Sequence, residues 1–379
     1  MLRRVRYSEV HWGLLLASLL LTGIGLAFVS SATSDPVDGG LGREARLQIA
    51  WLGIALTTCL VCLHVPTTTW QRLAVPAFIA ALLIQSGMIA LAGSPLVPTI
   101  KGAHNWIALG PARVQPSEFY KLAALLIGAH LLSRPSTDVR HLTTCGLLIG
   151  IICLPALLIA REDLGSAMTF VPMAFGQLFL AGMHLRHLLL FGAGGIGTLA
   201  LAIWSLPADS YQYRRLLAWL DPEQYALTTG FQTLRALRSI GSGQLTGKGY
   251  AAGDQNLLGW LPEKHTDMIF AVIAEETGFL GCLVVLGLIL LWGWVGLFTA
   301  MRCRSAFARF LVGGFTCLII GQVTINLLVV LGLMPVTGIT LPFFSYGGSS
   351  LLGCYIGIGL CLSASLARNR QLGRRSQAL

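Results

Sequence analysis

LLGWLPEKHTDMIFAVIAEETGFLG, residues Leu257 to Gly281, changes character in its middle. A polar run ends in Pro262-Glu263-Lys264-His265-Thr266-Asp267, and the sequence then stays apolar to about Phe298. A helix from Asp267 to Phe298 would be about 48 Å long at ~1.5 Å per residue, more than the ~30 Å of a hydrocarbon core requires. Its first two turns are expected to stand out of the bilayer, with Glu275 and Glu276 near the membrane surface. Asp267 then sits at the helix N-terminus, on the rim of a membrane. Charge is scarce in this chain, so the density of ionisable groups at that helix mouth marks the edge of an active site.

The rest of the chain fits a membrane setting. Of its 379 residues, 55% are hydrophobic and only 11% charged, where a soluble domain carries about 25% charged residues. Long apolar runs recur along the whole length, which predicts an all-α polytopic membrane protein with about ten transmembrane helices. The expected spans are His11–Ser31, Leu47–His64, Leu73–Leu91, Pro116–Leu132, Leu142–Ala160, Leu164–Gly182, Leu185–Leu206, Asp267–Phe298, Arg309–Leu333 and Tyr346–Ala367. They form a single domain over residues 1–379, with one long polar loop, residues 207–266, between the seventh and eighth spans. The first apolar stretch is longer than a usual signal-peptide core and reads as an anchor.

The net charge of +10 follows from topology. With both ends on one side, that side carries fourteen Lys and Arg in its short segments against two acids, Glu9 and Asp138. The positive-inside rule then places both termini in the cytoplasm, and the long loop and Asp267 outside. Nucleic acid is not needed to explain the charge. Of the nine cysteines none lies between Pro155 and Cys282, so the longest polar segment holds no disulfide. Cys59 and Cys62 form a C-x-x-C inside an apolar run with no second pair, which suits packing better than metal or redox chemistry.

Four segments carry candidate chemistry. Asp267 can cap its helix, with Thr266 as the alternative cap, or act as a general base on a hydroxyl beside Lys264 and His265. In Gln115-Pro116-Ser117-Glu118-Phe119-Tyr120-Lys121, Glu118 and Lys121 share a helical face at the outer end of a span. Buried ionisable groups there are either mutually neutralising or line a polar cavity. The run Gly241 to Gly249 places Lys248 among glycines, either as a flexible turn or as a contact for pyrophosphate. It is not a Walker A loop, because Gly249 stands where Ser or Thr is required. Pro335 to Ser350 breaks the chain before the last span, and its small Gly347, Gly348, Ser349 and Ser350 permit close helix packing. Trp106, beside Lys101 and Arg113, is an interfacial anchor or a surface on which a sugar ring can stack.

The motifs GAHNWIALGP, QPSEFYK, EDLGSA, IGSGQLTGKG, LPEKHTDMIFAVIAEETG and PVTGITLPFFSYGGSS occur in this order along the chain. On them the chain resembles, end to end, the SEDS family of RodA, FtsW and SpoVE, bacterial cell-wall glycosyltransferases. The resemblance implies polymerisation of lipid II into glycan strands at the outer face of the bacterial cytoplasmic (inner) membrane. It implies Asp267 as the catalytic carboxylate, Glu118 and Lys121 as the intramembrane pair, and Trp106 as the loop tryptophan. It also implies a class B penicillin-binding transpeptidase as partner, alongside membrane lipids. The short ends resemble the elongation-type RodA branch, which serves cell elongation and shape. SYGGSS also occurs in the division-type FtsW branch.

The expected reaction is a single inverting displacement. Asp267 takes the proton from the attacking sugar hydroxyl. Lys121, Arg113, Lys248 or a divalent cation (magnesium or manganese) neutralises the leaving pyrophosphate. Catalysis is thus assigned to Asp267. Substrate binding is assigned to Glu118, Lys121, Trp106, Arg113, Lys248, Lys264, His265 and Ser349, with no metal ligand in the protein. A lipid II flippase or other transporter, a division-type polymerase, and a non-catalytic scaffold for a transpeptidase are the alternative readings.

Overall fold

The computed structural model describes residues 7, 10–33, 41–100, 103–110, 112–160, 162–204, 211–228, 230–254 and 260–366. The basic residues of both chain ends, Lys101 and Arg161 lie outside the described residues.

The described chain is helical except for one short hairpin. In order, the elements are α1 (Gly13–Thr33), α2 (Arg43–His64), α3 (Thr67–Ala90), β1 (Ile107–Leu109), β2 (Ala112–Val114), α4 (Ser117–Leu132), α5 (Leu142–Ile159), α6 (Leu164–Met168), α7 (Phe170–Leu180), α8 (Leu185–Trp204), α9 (Tyr211–Leu220), α10 (Phe231–Ser242), α11 (Ile269–Arg302), α12 (Ala306–Val330) and α13 (Gly348–Ser365). Among the described residues seven helices, α1, α2, α3, α5, α11, α12 and α13, are long and apolar enough to cross a membrane. The three other expected spans are also helical, as α4, as the pair α6 and α7, and as α8. The sixth span is divided at Thr169. Pro172 has no N–H to give the carbonyl of Met168, four residues back, so the ladder breaks there.

Helices α4, α12 and α13 form the interior. Helix α12 packs on α4, α7, α11 and α13, and α2 lies along α13. Small residues set these approaches: the bare Cα of Gly348 faces the Trp51 ring, and that of Gly359 faces Cys59 and Cys62. The cysteine pair is therefore packing, as its apolar setting predicts, and all nine cysteines are free. Leu83, Leu147, Leu157, Leu290 and Trp294 point outward and exposed, which in a membrane protein is the lipid-facing surface. The chain is thus a multi-pass membrane protein.

One expectation needs correction, and two features add to the others. The helix after Asp267 is not one continuous rod. Gly278 adopts φ 66° and ψ −167° and divides α11, a backbone region open essentially to glycine alone. Its N-terminal two turns are held inside the protein, and Glu275 and Glu276 are only 0% and 1% exposed. Within the long segment 207–266, α9 and α10 are helical, and α10 packs on α11. Finally, the connection between α3 and α4 contains the β1–β2 hairpin, which pairs Ala108 with Arg113.

Candidate active site

Asp267 lies in a turn, two residues before α11 begins at Ile269, and Met268 is the N-cap residue. The N-cap position thus belongs to neither Asp267 nor Thr266. The Thr266 hydroxyl instead donates to the carbonyl and the carboxylate of Glu263, at 3.2 and 2.9 Å. The turn is fixed from two other segments. Ser345 Oγ donates to Thr266 O at 2.6 Å, and the Tyr346 N–H donates to His265 O at 2.8 Å. The His265 and Tyr346 rings meet with centroids 5.7 Å apart. Asn326 Nδ2, on α12, donates to Asp267 O at 2.9 Å and to Ile339 O at 2.7 Å. These bonds bring the Pro/Gly-rich segment before α13 against the Asp267 turn. A Cβ at Gly338 would stand 3.6 Å from Asp267 Oδ2, so a glycine leaves the approach to the carboxylate open.

Glu118 and Lys121 form an ion pair of 2.8 Å on the first turns of α4, with both side chains buried. Lys121 Nζ also donates to Gln322 Oε1 at 3.0 Å, and Gln322 Nε2 donates to Thr340 O at 3.1 Å. Thr340 Oγ1 is 3.0 Å from Ser350 Oγ. The pair is therefore one end of a polar network that runs through α12 to the segment beside Asp267. Its members satisfy one another, as buried polar groups in a membrane interior must. Ser349 accepts from the Gln115 N–H at 3.1 Å, which ties the start of α13 to the start of α4.

Gln322 and Asn326 escaped the sequence reading, although they connect the two halves of the site. Their only signal was a pair of amides four residues apart in an apolar span. Asp163 was likewise overlooked. Its carboxylate caps α6 by accepting from Ser166 N at 2.8 Å, and it takes the Gln115 side-chain amide at 3.1 Å.

Other expected residues fall differently. Trp106 precedes β1, in a segment anchored where His104 N donates to Glu162 Oε2 at 2.9 Å and Asn105 to Glu162 O at 3.2 Å. Arg113 is exposed on β2. Lys264 is half-buried in the Asp267 turn. Burial pulls its amine below the ordinary lysine value, against the opposing charge of Glu276.

Lys248 is engaged by carboxylates of the protein itself. Its ammonium pairs with Glu275 at 2.7 Å and Asp254 at 3.0 Å. Burial works against its charge, yet these two carboxylates outweigh that and raise its pKa. The N–H groups of Lys248 and Gly249 donate to the carbonyls of Glu275 and Glu276, each at 3.0 Å. Across the Gly278 break, Phe279 N and Leu280 N donate to Gln244 O and Leu245 O at 2.9 and 3.1 Å. The glycine run thus packs into the broken helix, with the Lys248 and Gly249 amides facing α11.

Among the described residues no three His, Cys, Asp or Glu side chains converge as a metal-ligating group.

Residues 12–370 match the model of the FtsW, RodA and SpoVE family, described as cell cycle proteins. The chain belongs to this family. A probable peptidoglycan glycosyltransferase FtsW of Trichlorobacter lovleyi is 33% identical over 366 residues, covering 95% of this chain and 94% of that protein. Peptidoglycan glycosyltransferase MrdB of Escherichia coli is 33% identical over 367 residues, covering 95% of each. A solved structure described as a peptidoglycan synthase complex coordinating polymerization and crosslinking superposes with a TM-score of 0.78. It is 32% identical and covers 95% of this chain and 99% of that one.

Proposed function

We propose that this peptidoglycan glycosyltransferase joins lipid II units into glycan strands at the outer face of the bacterial cytoplasmic membrane, with both termini in the cytoplasm. The observation that carries the proposal is how Asp267 is held. Its backbone is fixed by Asn326, its turn is fixed by Ser345 and Tyr346, and its carboxylate lies over a glycine. This is a preorganised base on rigid supports, where small misplacements of a reacting group are costly.

In the proposed step the acceptor sugar hydroxyl attacks the anomeric carbon of the donor. Asp267 takes the hydroxyl proton. The new glycosidic C–O bond forms as the bond from the anomeric carbon to the polyprenyl pyrophosphate breaks, and the pyrophosphate leaves with the electron pair. One displacement inverts the anomeric centre and needs no covalent enzyme intermediate. Lys264, in the same turn, and Arg113 are the proposed cations for the leaving pyrophosphate. The buried Glu118–Lys121 pair keeps the inner wall of the site polar. A class B penicillin-binding transpeptidase is the proposed partner, supported by the solved relative in which polymerization and crosslinking are coordinated in one complex.

The test is purified protein with labelled lipid II in detergent, with and without the co-purified transpeptidase. Glycan ladders from wild type, and none from Asp267→Ala at equal expression, support the reading. Ladders of normal length and rate from Asp267→Ala remove Asp267 from the role. Lipid translocation without ladders, read after reconstitution of the same protein into liposomes, would identify a transporter.

A further inference from the structure

Helices α9 and α10 of the outer segment line a half-open cavity of about 230 Å³ that the reaction as described does not use. Arg215, Trp219, Thr228, Phe231 and Gln232 line it, together with Pro262 and Val336. Those last two residues belong to the two segments that flank Asp267. Pro262 opens the Asp267 turn. Val336 lies two residues before Gly338, at most ~7 Å along an extended chain, and Gly338 faces the Asp267 carboxylate. The wall is pinned there: Arg215 Nη1 donates to Val336 O at 2.7 Å, and Trp219 Nε1 donates to Gly332 O at 2.9 Å. The cavity and the catalytic carboxylate therefore share one supporting loop.

The lining is selective in its chemistry. Trp219 and Phe231 offer aromatic surface of the kind that accepts the C–H face of a ring. Gln232 Nε2 is buried with no hydrogen-bond partner among the described residues, and a buried donor left unpaired is costly. A carbonyl oxygen that enters the cavity can accept from this donor. The volume is below the roughly 300–1,000 Å³ of a drug-sized ligand site, which suits one sugar ring rather than a whole disaccharide-peptide.

We propose that this cavity is a subsite for one N-acetylated hexosamine ring, packed on Trp219 and Phe231, with its acetamido oxygen accepting from Gln232. This rests on the polymerase reading above and adds to it a place where sugar is held beside the reacting centre. The ring has two sources of the same chemistry, the growing glycan strand and an incoming lipid-linked unit.

Soluble β-1,4-linked N-acetylglucosamine oligomers are titrated into the full-length detergent-solubilised protein, and binding is followed by saturation-transfer NMR. Gln232→Leu is expected to weaken binding about five- to tenfold, the range of one lost hydrogen bond. Thr228→Trp, which adds bulk from an exposed rim position and leaves the interior untouched, is expected to abolish it. The same variants are then assayed with lipid II. Shorter strands at unchanged KM identify the growing strand as occupant, and a raised KM at unchanged strand length identifies the lipid-linked unit. Oligomer binding that is absent in wild type, or unchanged in both folded variants, overturns the subsite. Failure of wild type to polymerise would instead count against the polymerase reading, while the binding titration still decides the subsite.

Discussion

Gln322 and Asn326 stand one helical turn apart on α12, and each holds a different half of the site. Gln322 grips Lys121 and Thr340, and Asn326 grips the backbone of Asp267 and Ile339. Four residues of helix rise only ~6 Å, so the buried ion pair and the Asp267 turn are set at a fixed spacing by a single rigid element. Neither amide is assigned contact with substrate; both act by positioning.

Asn326→Ala should therefore lower kcat while leaving the KM for lipid II nearly unchanged. It frees two carbonyls, and a drift of the Asp267 turn by an ångström is enough to cost about 10²-fold. Steady-state kinetics on protein of normal thermal stability checks this. A kcat equal to wild type would show that the turn holds its place without Asn326.

How much of this was visible beforehand depends on the residue. Asp267 and the Glu118–Lys121 pair stand out because ionisable groups are rare in an apolar chain and costly within a membrane. Gln322 and Asn326 do not, because neutral amides in a span carry no comparable cost and mark no partner. The Gly278 break was illegible for another reason. A glycine is ordinary within an apolar helix, and this one leaves helical geometry only because the distant run around Gln244 to Gly249 supplies the missing partners. The fold of α9 and α10 was hidden by treating length and polarity as loop, although both helices are amphipathic.

Gly278→Ala tests that break. A Cβ there would collide with the backbone of Leu245 and Gly247, and a positive φ with extended ψ is closed to alanine. The expected outcome is loss of folded protein, read as a collapse of the monodisperse peak in detergent size-exclusion chromatography. Gly287→Ala, whose position has no neighbour within 4 Å, should leave the peak intact. Equal behaviour of the two variants would mean that the break can straighten.

The Lys248–Glu275 pair should reveal itself through a double-variant cycle. Glu275 is fully buried, so removing Lys248 strands its charge, which is worse than removing both partners. Lys248→Met should lower the melting temperature clearly, and adding Glu275→Gln should recover part of the loss. The pH dependence follows from the raised Lys248 pKa. Its stabilisation is fully present below the ordinary lysine value of about 10.4. It is lost only as pH rises through the higher folded value. Thermal stability should thus show no contribution from this pair to any change between about pH 6 and 9. An alkaline loss should appear in wild type and be absent from Lys248→Met.

Lys264 behaves in the opposite sense and gives a prediction for activity. Burial lowers its pKa, so its amine becomes neutral at a lower pH than an exposed lysine. If its positive charge steadies the leaving pyrophosphate, polymerisation must fall as pH rises through that depressed value, while other cations of the site are still charged. Arginine stays protonated across the whole range. Lys264→Arg should therefore retain activity at neutral pH and shift the alkaline limb of the kcat/KM profile upward, whereas Lys264→Met should be slow at every pH. The measurement is the initial rate of glycan formation from lipid II between about pH 6 and 10, on enzyme shown to be folded at each point. An alkaline limb that stays in place in Lys264→Arg would assign the titration to another group and take Lys264 out of the leaving-group contact.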